Sequence, residues 1–376
     1  MMAKSRDKQP ARLTPVTPPG ITILENIKAL SMTQVELAER MGRPLKTING
    51  IIKGKTAITA ETALQLERVI GVPVHFWLTR DARYREYLTR KREARELSNA
   101  GAWLNTFPIK TMIEYGWIKQ LQDIKEQAEE VLRFLGVAST LLWRQVLQPY
   151  AAFHRSAVAQ VDEGSLAVWL RKGEIEATRF QCDPFDEKHF RKILMRIRPL
   201  TRETPEVFVP VLRDWCAKAG VAVVFVRELP GTRSHGVARW LSPEKALIQL
   251  STRYKSDDQI WFSFFHEAGH ISLDGKKIAS IESDAEQVQE GTEAKAREDR
   301  ANAFAAETLI PQRSLDRFLA ENHSRHLSKA NVEEFAKRID SAPGIVVGRL
   351  QYEGVLGRNL LNGLKNFYDW PNGVVF

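Results

Sequence analysis

The sequence is poor in the features that mark secreted and membrane proteins. Only two cysteines occur in 376 residues, Cys182 and Cys216, and neither has a CxxC partner, which argues against a disulfide scaffold or a cysteine-ligated zinc site. No apolar run reaches the roughly 18 residues that a membrane-spanning helix needs. The first 20 residues are polar and proline-rich, without the apolar stretch of a secretory signal. We therefore expect a cytoplasmic protein with no membrane contact.

The composition is that of a folded protein with an uneven distribution of charge. Hydrophobic residues make up 43% and charged residues 27% of the chain, and its length predicts two or three domains. Residues 1–100 hold 18 Lys and Arg against 10 Asp and Glu, which is +8 of the net +9. Such a concentration of positive charge indicates contact with a polyanion, most often nucleic acid, although a solvated basic surface is the alternative.

Helical and strand patterns change along the chain and predict a multidomain protein. Strand patterns occur at 221–229, 236–241 and 246–251, followed by long helices at 256–273 and 293–309. Upstream of residue 200 the patterns are helical throughout, including a basic connecting helix from Arg80 to Arg95. The predicted divisions are a flexible arm (1–20), an all-α domain (21–80), a helical connector (81–200), an α+β domain (201–357) and a C-terminal tail (358–376).

Two short helices near the N-terminus have the pattern of a helix-turn-helix. Thr33 is a suitable N-cap, Glu36 completes a capping box, and Gly42 ends the helix. The apolar residues expected on the inner side of this helix are Val35, Leu37, Ala38 and Met41. A second helix follows Pro44, with Ile48, Ile51 and Ile52 directed inward and short polar or basic side chains directed outward. The candidate DNA-contacting residues are Gln34, Lys46, Thr47, Asn49, Lys53 and Lys55.

This N-terminal stretch resembles the XRE-type helix-turn-helix of the HigA antitoxins. The resemblance lies in the text MTQVELAERMGRPLKTINGIIKGKTAITAETALQLERVIGVPVHFWL and covers about 60 residues with its flanks. It implies binding to double-stranded DNA, usually as a homodimer on an inverted repeat in the protein's own promoter. A helical bundle that keeps this fold without binding DNA is the alternative.

The segment WFSFFHEAGHIS contains an HExxH motif, which is typical of zinc peptidases. His266 and His270 lie four residues apart, so on a helix both imidazoles face one side and can bind the same ion. Glu267 lies beside them, within reach of a water on that ion. We expect one Zn²⁺ per chain, with Glu267 outside its ligand set.

A catalytic zinc site needs a third protein ligand, and a second helix offers one. In AKAREDRANAFAAETLIP, Glu298 lies on the same face as two alanines that allow close approach, and Asn302 follows one turn later, where it can orient a liganding histidine. We favour Glu298 as the third ligand. The alternatives are Glu286, Glu290, Glu293 and Glu307, together with the less suitable His235, His323 and His326.

Three ordered blocks resemble the signature segments of the ImmA/IrrE family of metallo-endopeptidases. These are FSFFHEAGHISL, EDRANAFAAETLIP and PGIVVGRLQYEG, and the similar region runs from about Leu200 to Gly357. The resemblance implies a gluzincin-like domain with zinc on His266, His270 and Glu298 and with Glu267 as general base. If the strand at 246–251 edges the cleft, its backbone can pair with an extended substrate.

One position departs from the pattern of this family. Members often have a histidine directly before the Pro-Gly of the last block, where this chain has Ala342. If that histidine stabilises the transition state, a substitute is needed, and Tyr352, His235 and Arg239 are candidates.

Three interpretations of function follow from these motifs. In the first, a zinc protease domain acts on a helix-turn-helix repressor, either this chain or a relative, in a stress or toxin–antitoxin setting. In the second, the chain is a HigA-like antitoxin or autorepressor whose metal domain is a non-catalytic sensor or structural module. In the third, a toxin-type protease is fused to its own regulator.

Overall fold

The computed structural model describes residues 16–146, 162–253, 256–275, 280–283, 293–322 and 327–370. The chain divides into two compact units, residues 1–100 and 101–376, each of which is described here by itself. Most of the expected flexible arm and the last six residues of the expected tail lie outside the described residues. Within the described part of the chain, no helix is long and apolar enough to cross a membrane.

The first unit is all-helical and has its own hydrophobic core. Its helices are α1 (Pro19–Ala29), α2 (Gln34–Arg40), α3 (Leu45–Ile52), α4 (Ala60–Ile70) and α5 (Val74–Leu97). The core includes Leu37, Ile48, Leu66 and the fully buried Trp77. The domain boundary expected at residue 80 falls inside α5, and this unit continues to residue 100.

The local signals of the helix-turn-helix operate as the sequence predicts, with one exception. The amide of Glu36 donates to Thr33 Oγ1 at 3.1 Å and the amide of Thr33 donates to Glu36 Oε2 at 2.9 Å, which is a capping box. Gly42 follows α2 with a φ of +62°. The prediction that Val35 faces inward is wrong, because Val35 is half exposed. At roughly 100° per residue it lies on the opposite side of α2 from Leu37.

The second unit contains the remaining described helices. They are α6 (Gly101–Leu104), α7 (Ile109–Glu114), α8 (Ile124–Leu135), α9 (Glu163–Ala177), α10 (Glu187–Ile197), α11 (Pro205–Ala217), α12 (Asp257–Leu273), α13 (Glu293–Leu309), α14 (Gln312–Glu321), α15 (Lys329–Arg338) and α16 (Pro343–Tyr352). Short 3₁₀ turns occupy Arg198–Arg202 and Asn362–Leu364. Gly116 and Gly136 have positive φ and follow α7 and α8, at the breaks expected from the sequence.

A small mixed sheet supports the longest buried helix of this unit. Its strands are β1 (Val221–Val226), β2 (Ser234–Ser242), β3 (Lys245–Ser251) and β4 (Ser280–Ser283), in the order β1-β3-β2-β4. β3 pairs parallel with β1 and antiparallel with β2. The prediction that the strand at 246–251 edges a cleft is therefore wrong, since both its edges are paired within the sheet. The edge strand beside β2 is β4, and the sequence pattern does not predict a strand at that position.

The two faces of the sheet are covered by different helices. Alternate residues, among them Val223, Phe225 and Ile248, share a core with Phe264 and Phe265 of α12. On the other face, α9 accepts hydrogen bonds from sheet side chains. Gln249 Nε2 donates to the carbonyl of Trp169 at 2.8 Å, and Arg239 Nη2 donates to that of Leu170 at 2.7 Å. Helix α12 therefore packs against one face of the sheet, and α9 packs against the other.

Candidate metal centre and nucleic-acid surface

Helix α12 places the HExxH side chains in the interior of the second unit. His266, Glu267 and His270 are 2%, 0% and 5% exposed. The aromatic residues that precede them on the helix pack into the core and fix the rotation of the helix about its axis. Because the imidazoles are four residues apart, their rings meet on the side of α12 that faces α13.

Glu298 of α13 completes a triangle of ligand atoms with the two histidines. The distance from His266 Nε2 to His270 Nε2 is 3.0 Å, and Glu298 lies 3.2 Å from the first ring through Oε2 and 3.5 Å from the second through Oε1. A tetrahedral zinc ion with bonds of roughly 2.0–2.1 Å needs donor atoms about 3.3–3.4 Å apart. The donor set and its spacing therefore fit a zinc ion with a fourth position open to water.

The other carboxylates and histidines considered for this role are not part of the triangle. Glu293 and Glu307 are exposed, and Glu307 accepts a hydrogen bond from the amide of Gln312 at 2.9 Å. The positions considered at Glu286, Glu290, His323 and His326 lie outside the described residues. Among the described residues, the group that can bind a metal consists of His266, His270 and Glu298.

Each liganding histidine has a hydrogen-bond partner on its far nitrogen. His266 Nδ1 lies 2.9 Å from Asn302 Oδ1, and His270 Nδ1 lies 2.6 Å from Asp274 Oδ2. Arg300 Nη2 donates to the other oxygen of Asp274 at 2.9 Å. These contacts orient both rings with Nε2 toward the metal position. Asp274 was not recognised in the sequence, although its spacing of four residues from His270 was a usable signal.

The electrostatics of this cluster favour an ionised carboxylate at Glu298. Burial alone would raise the pKa of Glu298, but hydrogen bonds from His266 and His270 outweigh burial and lower it to about 2. Burial would lower the pKa of His270, but its contacts with Asp274 and Glu298 outweigh burial and raise it. The carboxylate is thus in the charged form that a divalent cation requires.

Small residues let the two ligand-bearing helices approach closely. A Cβ at Gly269 would lie 3.2 Å from Cα of Ala301 and 3.2 Å from a ring carbon of Phe304. Ala301 and Ala305 are fully buried on the α13 side of this crossing. The close approach brings Glu298 within reach of rings that project from a different helix.

Glu267 lies beside the triangle, against strand β2. A Cβ at Gly236 would lie 2.8 Å from Glu267 Oε1 and 2.9 Å from its Cγ, so only glycine leaves room for this carboxylate. Glu267 is fully buried and contributes no atom to the metal-ligand group. Gly236 was not recognised in the sequence, and no local pattern marks it.

The three candidates for stabilising a transition state have different surroundings. His235 is partly buried and lines a small cavity with Ser251, Gln259 and Ser263, the last being one turn before Glu267. Arg239 is buried on the sheet face covered by α9, away from α12, so its prediction for this role is wrong. Tyr352 is 83% exposed at the end of α16. Of these three residues, only His235 lies beside α12, as the role requires.

Ala342 has a structural position in this unit. It is fully buried, caps α16, and donates its amide to Thr201 Oγ1 at 3.0 Å. The methyl side chain provides no hydrogen-bonding group for chemistry at this point.

The predicted DNA-contacting residues lie on α2, on α3 and just after α3. Lys46, Lys53 and Lys55 are exposed, whereas Gln34, Thr47 and Asn49 are partly buried. Gln34 is the first residue of α2, and Lys46, Thr47 and Asn49 belong to the first half of α3. This is the end of the second helix that enters the major groove in helix-turn-helix proteins.

Fold and site together define a helix-turn-helix unit joined to an HExxH metallopeptidase-like unit. Residues 23–77 match the family model described as Helix-turn-helix, and residues 219–346 match the peptidase family M78 model described as IrrE N-terminal-like domain. The chain thus contains an XRE-type helix-turn-helix domain and an ImmA/IrrE-like metallopeptidase domain.

A solved structure is similar to the N-terminal part of the chain. It is described as an addiction module antidote protein of the HigA family from Coxiella burnetii, with 27% identity and a TM-score of 0.21, over 22% of this chain and 92% of that chain. No match was found among curated proteins.

Proposed function

We propose that this protein is a DNA-binding transcriptional regulator whose second domain is a zinc-dependent endopeptidase. The observation that carries the proposal is the triangle of His266, His270 and Glu298 with the buried Glu267 beside it. A purely structural zinc site has no need for a carboxylate that stands next to the ligands without joining them.

The chain's own residues supply the parts of a peptide hydrolysis mechanism. Zinc, when bound, lowers the pKa of a coordinated water and polarises the scissile carbonyl. His266, His270 and Glu298 provide the ligand atoms, and Asn302 and Asp274 orient the rings. Glu267 accepts the proton of the attacking water and delivers it to the leaving amine. His235, near Ser263, is the candidate for stabilising the developing negative charge.

The substrate we propose is a helix-turn-helix repressor, either this chain itself or a related one. Support comes from the presence of a helix-turn-helix domain in the same chain, which puts a protein of that class at high local concentration. The protein would then act in the cytoplasm, as a homodimer on an inverted repeat in its own promoter, in a stress or toxin–antitoxin setting. The proposed peptidase domain is 201–357, and α9, within the expected connector of 81–200, packs against its sheet.

Replacement of Glu267 by glutamine tests the peptidase. The purified variant should still bind one zinc ion per chain, because no ligand atom is changed. Cleavage of the chain, or of a co-expressed repressor from the same operon, should fall by about 10²–10⁴-fold through loss of the base. His266→Ala is the comparison variant and should lose both zinc and cleavage. Equal cleavage by E267Q and the parent would reject the enzymatic role.

A second candidate is a HigA-like antitoxin or autorepressor whose metal domain does not cut. Ala342 favours it, because the family's histidine is missing and the buried methyl group cannot replace it. In that case zinc binding should change repression of the promoter, while E267Q should behave as the parent in every assay. A third candidate, a toxin-type protease with a fused regulator, predicts that E267Q abolishes growth inhibition in cells.

A further inference from the structure

A second cavity in the residue 101–376 unit lies among basic side chains and shares no residue with the metal cluster. Its volume is about 260 Å³. It is formed by the 3₁₀ turn after α10, the start of α14 and the end of α15. The polar side chains that line it are Arg198, Ser314, Arg317, Arg338 and Asp340.

Two of the three arginines in this cavity have no acidic partner in the described part of the chain. Arg338 donates to Glu321 Oε2 through both Nη atoms at 3.1 Å, and Asp340 pairs with Arg202 Nη1 at 2.8 Å. No ion pair or side-chain hydrogen bond is found for Arg198 or Arg317 among the residues that the structure describes. The cavity therefore has a net positive charge.

Arg198 is the more informative of these two cations. Its Nε is buried and has no hydrogen-bond acceptor in the described residues. A buried donor without an acceptor is destabilising, and more so when the group is charged. Because this Nε has no accessible surface, a ligand in the cavity would reach Arg198 through the partly exposed remainder of its side chain.

The geometry around the cavity suits an oxyanion with several oxygens. Guanidinium groups match phosphate oxygens in paired hydrogen bonds, and the hydroxyl of Ser314 adds a donor. Ser314 is the third residue of α14, so the positive end of that helix also faces this region. The volume is below the roughly 300–1,000 Å³ of sites for drug-sized ligands, which restricts the occupant to a small molecule or one group of a larger one.

We propose that this cavity binds the phosphate group of a phosphate-bearing small molecule, through Arg198, Arg317 and Ser314. The site is independent of the metal cluster and of the proposed peptidase. Pro311, which lines it, directly precedes α14 and lies two residues after the end of α13, the helix that carries Glu298.

Calorimetric titration of the full chain, at constant ionic strength, tests the proposal. The probes are inorganic phosphate, a nucleoside 5′-monophosphate and the same nucleoside without phosphate. Phosphate and the monophosphate should each show saturable binding, and the nucleoside none. Tighter binding of the monophosphate would identify an organic phosphate as the occupant, and equal binding would identify free phosphate.

Substitutions on α14 and in the 3₁₀ turn assign the binding to the cavity. Arg198→Gln and Arg317→Gln should each weaken phosphate binding about tenfold or more, because each removes charge-assisted hydrogen bonds. Arg313→Gln, at an exposed arginine on the same helix that does not line the cavity, is the matched control and should bind as the parent does. Arg317 is exposed, so R317Q should fold normally, which circular dichroism checks.

Two results would overturn the proposal. One is absence of saturable phosphate binding by the parent chain. The other is equal binding by R317Q, R198Q and R313Q, which would place the phosphate elsewhere, for example on the basic helix-turn-helix unit. Binding of an acidic peptide without binding of either phosphate compound would likewise reject it.

Discussion

Gly236 determines how closely Glu267, the proposed general base, can approach strand β2. A methyl group there would lie 2.8 Å from Glu267 Oε1, which forces the carboxylate to move. Displacement of a catalytic group by about 1 Å can cost roughly 10²-fold in rate. We predict that Gly236→Ala lowers peptide cleavage by about that factor while zinc remains bound, as measured by cleavage kinetics and metal analysis.

The control for this variant is another glycine of the same unit. A Cβ at Gly101 would have no neighbouring group of the described chain within 4 Å, and the φ of Gly101 is not positive. Gly101→Ala should therefore leave cleavage unchanged. Full activity of G236A would mean that Glu267 does not need its present position.

Asp257, at the start of α12, makes stability depend on pH. It is fully buried and lies against Gly344 at the start of α16. Burial is the main cause that raises its pKa from 3.8 to about 7. The folded protein therefore binds this proton more strongly than the unfolded chain. The stabilisation from Asp257 is complete below pH 4 and is lost as the pH rises toward 7.

We predict that Asp257→Asn removes this dependence. The free energy of unfolding of the variant, relative to the parent, should increase between pH 4 and pH 8, by up to about 4 kcal/mol. Urea unfolding in the presence of a chelator, at a series of pH values, measures the difference. A difference that does not change with pH would show that Asp257 is ionised in the folded protein throughout this range.

The crossing of α12 and α13 is the element on which the metal site depends. Gly269 and Ala301 meet there with no room for larger side chains. Ala301→Leu should push the helices apart, with an overpacking cost of about 1–3 kcal/mol. Because Glu298 is on one helix and both histidines are on the other, we predict at least tenfold weaker zinc binding, measured by competition with a chelating dye.

Ala303 provides the matched control on the same helix. It is exposed, so Ala303→Leu adds the same atoms without entering the crossing. Equal zinc affinity of A301L and A303L would contradict the role given to this contact.

Much of the site could be predicted because its signals are local. The sequence predicts the two helices of the proposed ligands at 256–273 and 293–309, and the structure has them at Asp257–Leu273 and Glu293–Leu309. HExxH spacing and the alanine-rich face of the second helix depend on helical periodicity alone. The same holds for the capping box at Thr33, which needs only residues three apart.

The parts that were missed depend on contacts between distant segments. Parallel pairing of β1 with β3 puts the latter inside the sheet, and nothing in the sequence of either strand specifies that partner. The side of the sheet to which Arg239 points follows from this register. Gly236 resembles any other strand glycine until α12 is packed against it.

At the scale of the whole molecule, two units with separate cores carry the two proposed activities. One core contains Leu37, Ile48 and Trp77, and the other contains Phe264 and Phe265. The proposed metal ligands all belong to the second unit, and the candidate DNA contacts all belong to the first. A ligand that binds only a folded unit raises the unfolding temperature of that unit.

We predict that zinc and DNA act on different transitions in calorimetric unfolding of the full chain. Zinc at about 100 times its dissociation constant adds roughly 2.7 kcal/mol, which corresponds to about 5–10 °C for the unit that binds it. DNA from the upstream promoter should raise the unfolding temperature of the first unit. Glu298→Gln should greatly reduce the zinc shift and retain the DNA shift, whereas the double variant Lys46→Ala with Asn49→Ala should do the reverse. If E298Q keeps the full zinc shift, the metal binds elsewhere, and the peptidase proposal loses the site on which it depends.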